Sequence, residues 1–239
     1  MLVLFDIDGT LVQGASREHA DALRQALRNV HGVDISSLPS RPKVSAAGRT
    51  DGEIARLYLL EAGVSAERID QRAPDVQEEC GRLYANLCPP DLSERVVPGM
   101  PDLLATLDEH RDDVTLSLVT GNFECVARVK LKAAGIGHFF ARGHGGFGSD
   151  SEDRTMLPPI ARRRAGEAAG LPTSWPRART IVVGDTPRDI ACARADALRC
   201  IAVTTGPHPA EDLTAADYLV DDTQALAATL ESLTAASEV

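Results

Sequence analysis

Three short clusters in this 239-residue chain set carboxylates, hydroxyls and amides at spacings that suit chemistry on an anion. The first is Asp6-Ile7-Asp8-Gly9-Thr10, directly after the unbroken apolar run Leu2 to Phe5. The second is Thr120-Gly121-Asn122 and the third Gly184-Asp185-Thr186-Pro187-Arg188-Asp189, each again at the end of an apolar, β-branched run. Asp6, Asp8, Asp185 and Asp189 gathered at one edge would repel one another unless a cation sat among them. Oxygen donors with no histidine or cysteine beside them suit a hard ion, and Mg²⁺ is the commonest that leaves room for a substrate phosphate. Thr120, Gly121 and Asn122 add a hydroxyl, a flexible glycine and the exposed amides of a starting helix, which together receive an anion. A metal site beside an anion site points to phosphoryl chemistry. Alternation along an extended strand turns Asp6 and Asp8 to one side and Ile7 to the other.

Each cluster alone has a plainer reading. Asp-Gly is a common turn, Thr-Gly-Asn makes an ordinary left-handed turn, and Thr186 and Pro187 suit the N-cap and first position of a helix. It is their recurrence at successive strand ends that carries weight, because ligands of open α/β sheets bind at the carboxyl ends of the strands.

The elements that must hold these clusters are legible from pattern. Met1–Phe5, Val114–Thr120 and Thr180–Gly184 are short, apolar and without alternation, as strands buried on both faces are, and Cys200–Thr204 and Asp217–Val220 are weaker candidates. Helical stretches fall at Pro101–Glu109, Phe123–Ala134, Leu157–Ala169, Pro187–Ala195 and Thr223–Leu233. Strand and helix in alternation predict an α/β domain with a doubly wound, Rossmann-like parallel sheet. From about Ala15 to Arg95 the pattern changes to helix alone. Ala20, Leu23, Leu27 and Val30 share a face ended by Gly32; Thr50 and Glu53 have capping-box spacing ahead of Ile54, Leu57 and Tyr58; Val76, Cys80, Leu83 and Leu87 form a third stripe. The expected division is an α/β core of residues 1–14 and 96–239 interrupted by an α-helical domain at 15–95.

A net charge of −10 disfavours nucleic acid and anionic lipid as partners, and obliges a phosphorylated substrate to find local positive charge or a metal. Arg162 to Arg164 read as a solvated helix face. Five scattered cysteines, without a C-x-x-C spacing, argue against zinc or a disulfide framework. With no basic leader and no long apolar run, the expected compartment is the cytoplasm and the expected state a monomer or homodimer, outside any membrane.

"FDIDGT", "LVTGN" and "VVGDTPRD", together with "PGMPDLLATL" and "ACARADAL", resemble the haloacid dehalogenase superfamily, in its phosphoglycolate phosphatase-like branch, over essentially the whole chain. The resemblance implies a Mg²⁺-dependent phosphatase acting on a small phosphorylated metabolite. It implies Asp6 as nucleophile, Asp8 as general acid and base with its backbone carbonyl on the metal, and Thr120 as a phosphate donor alongside Gly121 and Asn122. Asp185 would ligate Mg²⁺, Asp189 would support the metal shell, and the helical insert would be a cap. A phosphomutase needs the same two aspartates, and a non-catalytic phosphate or metabolite sensor could keep the fold; a dehalogenase would have no use for Asp8.

One departure concerns the lysine that the family places before its last motif. The only lysines are Lys43, Lys130 and Lys132. Lys130 stands eight residues beyond Asn122, roughly 12 Å along a helix, which sets its amino group at doubtful reach of the site. Arg154 occupies the position where the lysine is expected, and a guanidinium can serve the same electrostatic purpose with different geometry. Arg49, in "AAGRTDGEI", is the expected substrate-selecting residue of the cap, able to meet a carboxylate or second phosphate. His144 reads as a loop residue, Trp175 as local packing, and Lys43 has no assigned role.

Overall fold

A computed structural model describes residues 1–14, 17–37, 46–110 and 112–235; Lys43 lies outside the described residues. Six parallel strands, β1 (Leu2–Phe5), β2 (Thr115–Thr120), β3 (Gly146–Phe147), β4 (Thr180–Gly184), β5 (Arg199–Val203) and β6 (Tyr218–Val220), form one sheet in the order β3-β2-β1-β4-β5-β6. The strands are chiefly apolar because helices cover both faces. Val3 and Phe5 pack into the cluster that α4 (Met100–Glu109), α5 (Glu124–Ala133) and α8 (Thr223–Ala235) share, while Leu2 and Leu4 face α6 (Leu157–Ala168) and α7 (Pro187–Ala195). The five strands expected from pattern are all present. The sixth, β3, is only two residues long within "GHGGFGSD" and carries no periodicity to read.

β1 lies between β2 and β4, with Phe5 in register with Leu118 on one side and Val183 on the other. The chain winds outward from β1 in both directions, so the crevice where an open sheet binds its ligand falls at the ends of β1 and β4. The residues that follow those strands are Asp6 and Asp185.

Three helices lie between β1 and α4: α1 (Arg17–His31), α2 (Asp51–Glu61) and α3 (Ala66–Leu87). They close round their own apolar cluster, with Leu27, Leu59, Ile69 and Tyr84 at its heart, joined by Phe123 and Val126 from the α5 end of the sheet layer. Gly32 follows α1 at φ +74°, the left-handed position that an L side chain resists. Thr50 caps α2 by accepting from Glu53 N at 3.1 Å. The segments leading into and out of these helices are themselves paired, Gln13 N donating to the Arg95 carbonyl at 2.7 Å and Val97 N to the Leu11 carbonyl at 3.0 Å.

Two sequence expectations change. α3 begins at Ala66, ten residues ahead of the stripe that starts at Val76, and runs through Pro74. Arg162 belongs to no solvated face: it is 5% exposed and forks onto Asp196, 2.7 Å from Nε and 3.2 Å from Nη2. Arg163 and Arg164 pair with Glu167 and Asp150 nearer the surface.

Candidate active site

The end of β1 delivers Asp6 into the crevice, buried at 4% exposure, while Ile7 turns into the core and Asp8 stays half-buried beyond it. β4 ends in Asp185, which is fully buried. Thr186 then starts α7 through a reciprocal cap: its hydroxyl and amide both donate to Asp189 Oδ2, at 2.6 and 3.0 Å, and its Oγ1 accepts from Asp189 N. The cap fixes the other carboxylate oxygen of Asp189 toward the crevice. One carboxylate oxygen each from Asp6, Asp185 and Asp189 lies within 4.8 Å of the others.

Arg154 enters this cluster from the short 3₁₀ turn before α6. Its Nη2 donates to Asp6 Oδ1 at 2.9 Å and also to Asp189 Oδ1, and its Nη1 donates to the Gly48 carbonyl at 3.1 Å. It is therefore the buried cation against Asp6.

Lys130 corrects the sequence reading. Its amino group reaches the site and is 2.6 and 2.7 Å from the two oxygens of Asp8 and 2.8 Å from Asn122 Oδ1. Side chains on a helix lean toward its N-terminus, so a lysine well inside α5 reaches back over the preceding turns. Asn122 Nδ2 donates to Asp8 Oδ2 at 2.8 Å, and the fully buried Thr120 accepts from Asn122 N at 3.3 Å. The two aspartates thus have separate basic partners, Arg154 for Asp6 and Lys130 for Asp8.

Their electrostatics diverge accordingly. Burial pushes the Asp6 carboxyl up to about 7, against Arg154 and with help from Asp189 and Asp8. Burial with Asp6 and Asp189 nearby pushes Asp185 up to about 8. Burial works the same way on Asp8, but Lys130, His19 and Asn122 outweigh it and hold that carboxyl below its usual value. Asp6 shares its one arginine with Asp189, while both oxygens of Asp8 meet Lys130.

A hard cation fits this donor set. Asp185 Oδ1 accepts from Thr10 at 3.0 Å, while its Oδ2 is buried without a hydrogen-bond partner among the described residues. A Cβ on Gly206 would come within 1.8 Å of that same oxygen, so the glycine keeps the space round it clear. The donors are carboxylate oxygens only, the preference of Mg²⁺.

Above the acids lies a cavity of about 500 Å³ roofed by α1 and α2, with Leu23, Ile54, Tyr58 and Arg49 in its lining. Arg49 pairs with Glu53 one turn along. Asp51, the first residue of α2, escaped the sequence reading as a site residue. Its amide donates to the Gly121 carbonyl at 2.8 Å, and its Oδ2 accepts from Phe123 N at 2.7 Å and sits 3.0 Å from His19 Nε2. The helical insert is thereby fastened to the Thr120–Asn122 loop. Gly121 permits the approach: a Cβ there would meet the Arg49 carbonyl at 2.1 Å. His144 is in a loop, where its carbonyl accepts from Arg128, and Trp175 packs beside α6.

Comparison with known proteins places the chain in a family and a fold. A family model described as haloacid dehalogenase-like hydrolase matches residues 3–194. The chain is 28% identical over 223 residues to a phosphoglycolate phosphatase of Synechococcus elongatus, covering 92% of each. It is 28% identical over 210 residues to a phosphoglycolate phosphatase of Pseudomonas fluorescens, covering 86% of this chain and 70% of that one. Among solved structures, a β-phosphoglucomutase of Clostridium difficile superposes with a TM-score of 0.65 at 17% identity, over 99% of this chain and 97% of that one.

Proposed function

Because this chain belongs to the haloacid dehalogenase-like hydrolase family, we propose that it hydrolyses the phosphate monoester of a small metabolite through an aspartyl-phosphate on Asp6. The observation that carries the reading is the placing of two carboxylates two residues apart: Asp6 stands with Asp185 and Asp189 against Arg154, while Asp8 is held by Lys130 and Asn122.

In this reading Asp6 attacks phosphorus in line, one P–O bond forming to its carboxylate as the bond to the leaving oxygen breaks. Asp8 gives the leaving oxygen its proton and then takes one from the water that attacks the aspartyl-phosphate, releasing inorganic phosphate and free Asp6. Such acid–base help contributes about 10²- to 10⁴-fold in rate. Splitting one displacement into two lowers each barrier. Thr120, the Gly121–Asn122 amides and Arg154 receive the phosphoryl oxygens, the main electrostatic task in this chemistry. Asp6, Asp185 and the backbone carbonyl of Asp8 would hold Mg²⁺, with Asp189 behind them, and the ion would supply charge neutralisation between nucleophile and phosphate. Residues 15–95 act as a cap that excludes water, and Arg49 selects among substrates. The substrate is a phosphoglycolate- or sugar-phosphate-like molecule met in the cytoplasm.

The test is Asp6→Asn assayed on p-nitrophenyl phosphate with Mg²⁺. Loss of phosphate release with an unchanged circular dichroism spectrum is expected, and retained turnover would remove the covalent mechanism. A panel of phosphorylated metabolites read by released phosphate identifies the substrate class, and transfer of label back to substrate without release would indicate a mutase.

A further inference from the structure

The chain leaves β5 through Thr204-Thr205-Gly206-Pro207, a turn whose hydroxyls have no part in the steps above. Thr205, Gly206 and Pro207 line the cavity over the acids. The base of the turn is fixed to the end of β6, where Thr204 N donates to the Val220 carbonyl at 3.2 Å and Thr204 Oγ1 to Asp221 Oδ1 at 3.1 Å. Its tip is fixed to the segment that follows β1: the Thr205 hydroxyl donates to the Gly9 carbonyl at 2.5 Å.

Gly9 is the pivot of that segment, at φ +91°, a region that glycine alone enters freely. The two peptide planes that meet there are both pinned. Gly9 N donates to the Val12 carbonyl at 2.8 Å and holds the plane before it; Thr10 N, at a looser 3.3 Å from the Ile7 carbonyl, and the Thr205 hydroxyl hold the plane after it. Because a peptide is planar, the first plane carries the Asp8 carbonyl with it. From the second hangs Thr10, whose hydroxyl meets Asp185 Oδ1 at 3.0 Å. Thr205 thus governs Thr10 directly and the Asp8 carbonyl through Gly9. The partnerless Asp185 Oδ2 lies between the same two segments: a Cβ on Gly9 would come within 2.1 Å of it, and one on Gly206 within 1.8 Å. Thr205 adjoins one of these walls and bonds to the other.

We propose that Thr205 is a positioning residue of the cation site, holding its walls and backbone at a width that takes a small divalent ion in preference to a larger one. This rests on the reading of Asp6, Asp185 and the Asp8 carbonyl as the ligands of that ion. Mg²⁺ demands near-ideal octahedral geometry at about 2.0–2.1 Å, whereas Ca²⁺ accepts irregular oxygen ligands at about 2.3–2.6 Å. Pinned ligands suit the smaller ion, and ligands that drift suit the larger. Removing the Thr205 hydroxyl releases the Gly9 carbonyl, leaves the second plane to the looser Thr10 bond and unties Gly206 from Gly9. The selectivity of the site, more than its charge, is what that hydroxyl supplies.

The experiment titrates the full chain, stripped of metal, with MgCl₂ or CaCl₂ and follows the Gly9 and Gly206 amides by ¹H–¹⁵N NMR. No substrate is present, so the result is independent of which ester is hydrolysed. In the parent, both signals are expected to saturate at a lower concentration of Mg²⁺ than of Ca²⁺. In Thr205→Val, which keeps the shape and loses the hydroxyl, Mg²⁺ is expected to bind about tenfold more weakly, the usual loss when a group that orients a metal ligand is removed. Ca²⁺ binding is expected to stay near its parent value, and Thr205→Ser to restore the preference for Mg²⁺. Thr205→Ala carries the same comparison if the valine variant does not fold. A parent without preference, a ratio unchanged by loss of the hydroxyl, equal weakening of both ions, or a serine variant no better than valine would overturn the proposal while leaving the cation site standing. Absence of saturation by either ion in the parent would overturn the cation site itself, and the proposal with it.

Discussion

Arg154 and Lys130 divide the neutralisation of the crevice between them, and their removal has different consequences. Arg154 is 7% exposed and bonds to both Asp6 and Asp189. Arg154→Ala leaves two buried carboxylates unpaired, a change of about 3–5 kcal/mol; urea unfolding of the metal-free protein is expected to show it, together with near-complete loss of phosphate release. Lys130→Met keeps the volume and removes the charge. Asp8, no longer held low, then needs a higher pH to act as base, so the acid limb of the kcat/KM profile on an aryl phosphate is expected to move upward relative to the parent. An unmoved limb would separate Asp8 from the titrating group. Arg154 could be located in the sequence because it occupies a motif position. Lys130 could not, because distance along a helix axis ignores the backward lean of a long side chain, and Asp51 could not, because a first-turn aspartate has the same sequence signature whether it meets solvent or another element.

At the level of elements, the join between α2 and the Thr120–Asn122 loop is the most exacting packing near the site. Gly121→Ala would thrust a methyl group at the Arg49 backbone, where no flexible side chain can yield. Its expected outcome is a marked fall in kcat/KM with a lowered melting temperature, whereas Gly143→Ala, with nothing within 4 Å, tests only the backbone φ of +80°. Thr50→Ala removes the α2 cap and the bond to the Glu152 carbonyl, a loss of about 1–2 kcal/mol by denaturant midpoint. The buried parallel strands were readable because both faces demand apolar, β-branched residues. β3 was not, since its two residues are held by Val119 and Thr120 next door rather than by their own character. The first turns of α3 were obscured by Pro74, which signals a helix boundary in sequence yet is tolerated here within a 22-residue helix packed along α1 and α5. Arg162 misled for a related reason: three consecutive arginines read as one surface, but a helix spreads neighbours 100° apart and turns one of them inward.

For the molecule as a whole, the acids at the crevice make stability a function of pH and metal. Asp6 and Asp185 keep their protons in the folded state up to about 7 and about 8, whereas in the unfolded chain they lose them near 3.8, the ordinary value of an aspartate. Over that interval the unfolded state binds fewer protons, so the stability of the metal-free protein falls as pH rises from about 4 to about 8. Thermal melts in chelator across that range are expected to show the decline. Millimolar Mg²⁺ is expected to raise the melting temperature most at the alkaline end, where the carboxylates are free to take it, in line with mass action on the folded state. A flat chelated profile would contradict the crowding of acids. The tie from the Asp51 amide and carboxylate to Gly121 and Phe123 has a temporal consequence as well. On the proposed function, the loop that would grip phosphate is the one to which the roof is fastened, so departure of phosphate and lifting of the roof would become one event, paced by solvent friction. Turnover of a fast substrate should then slow in proportion to added glycerol or sucrose viscosity, while a slow aryl phosphate, limited by bond breaking, should not notice it.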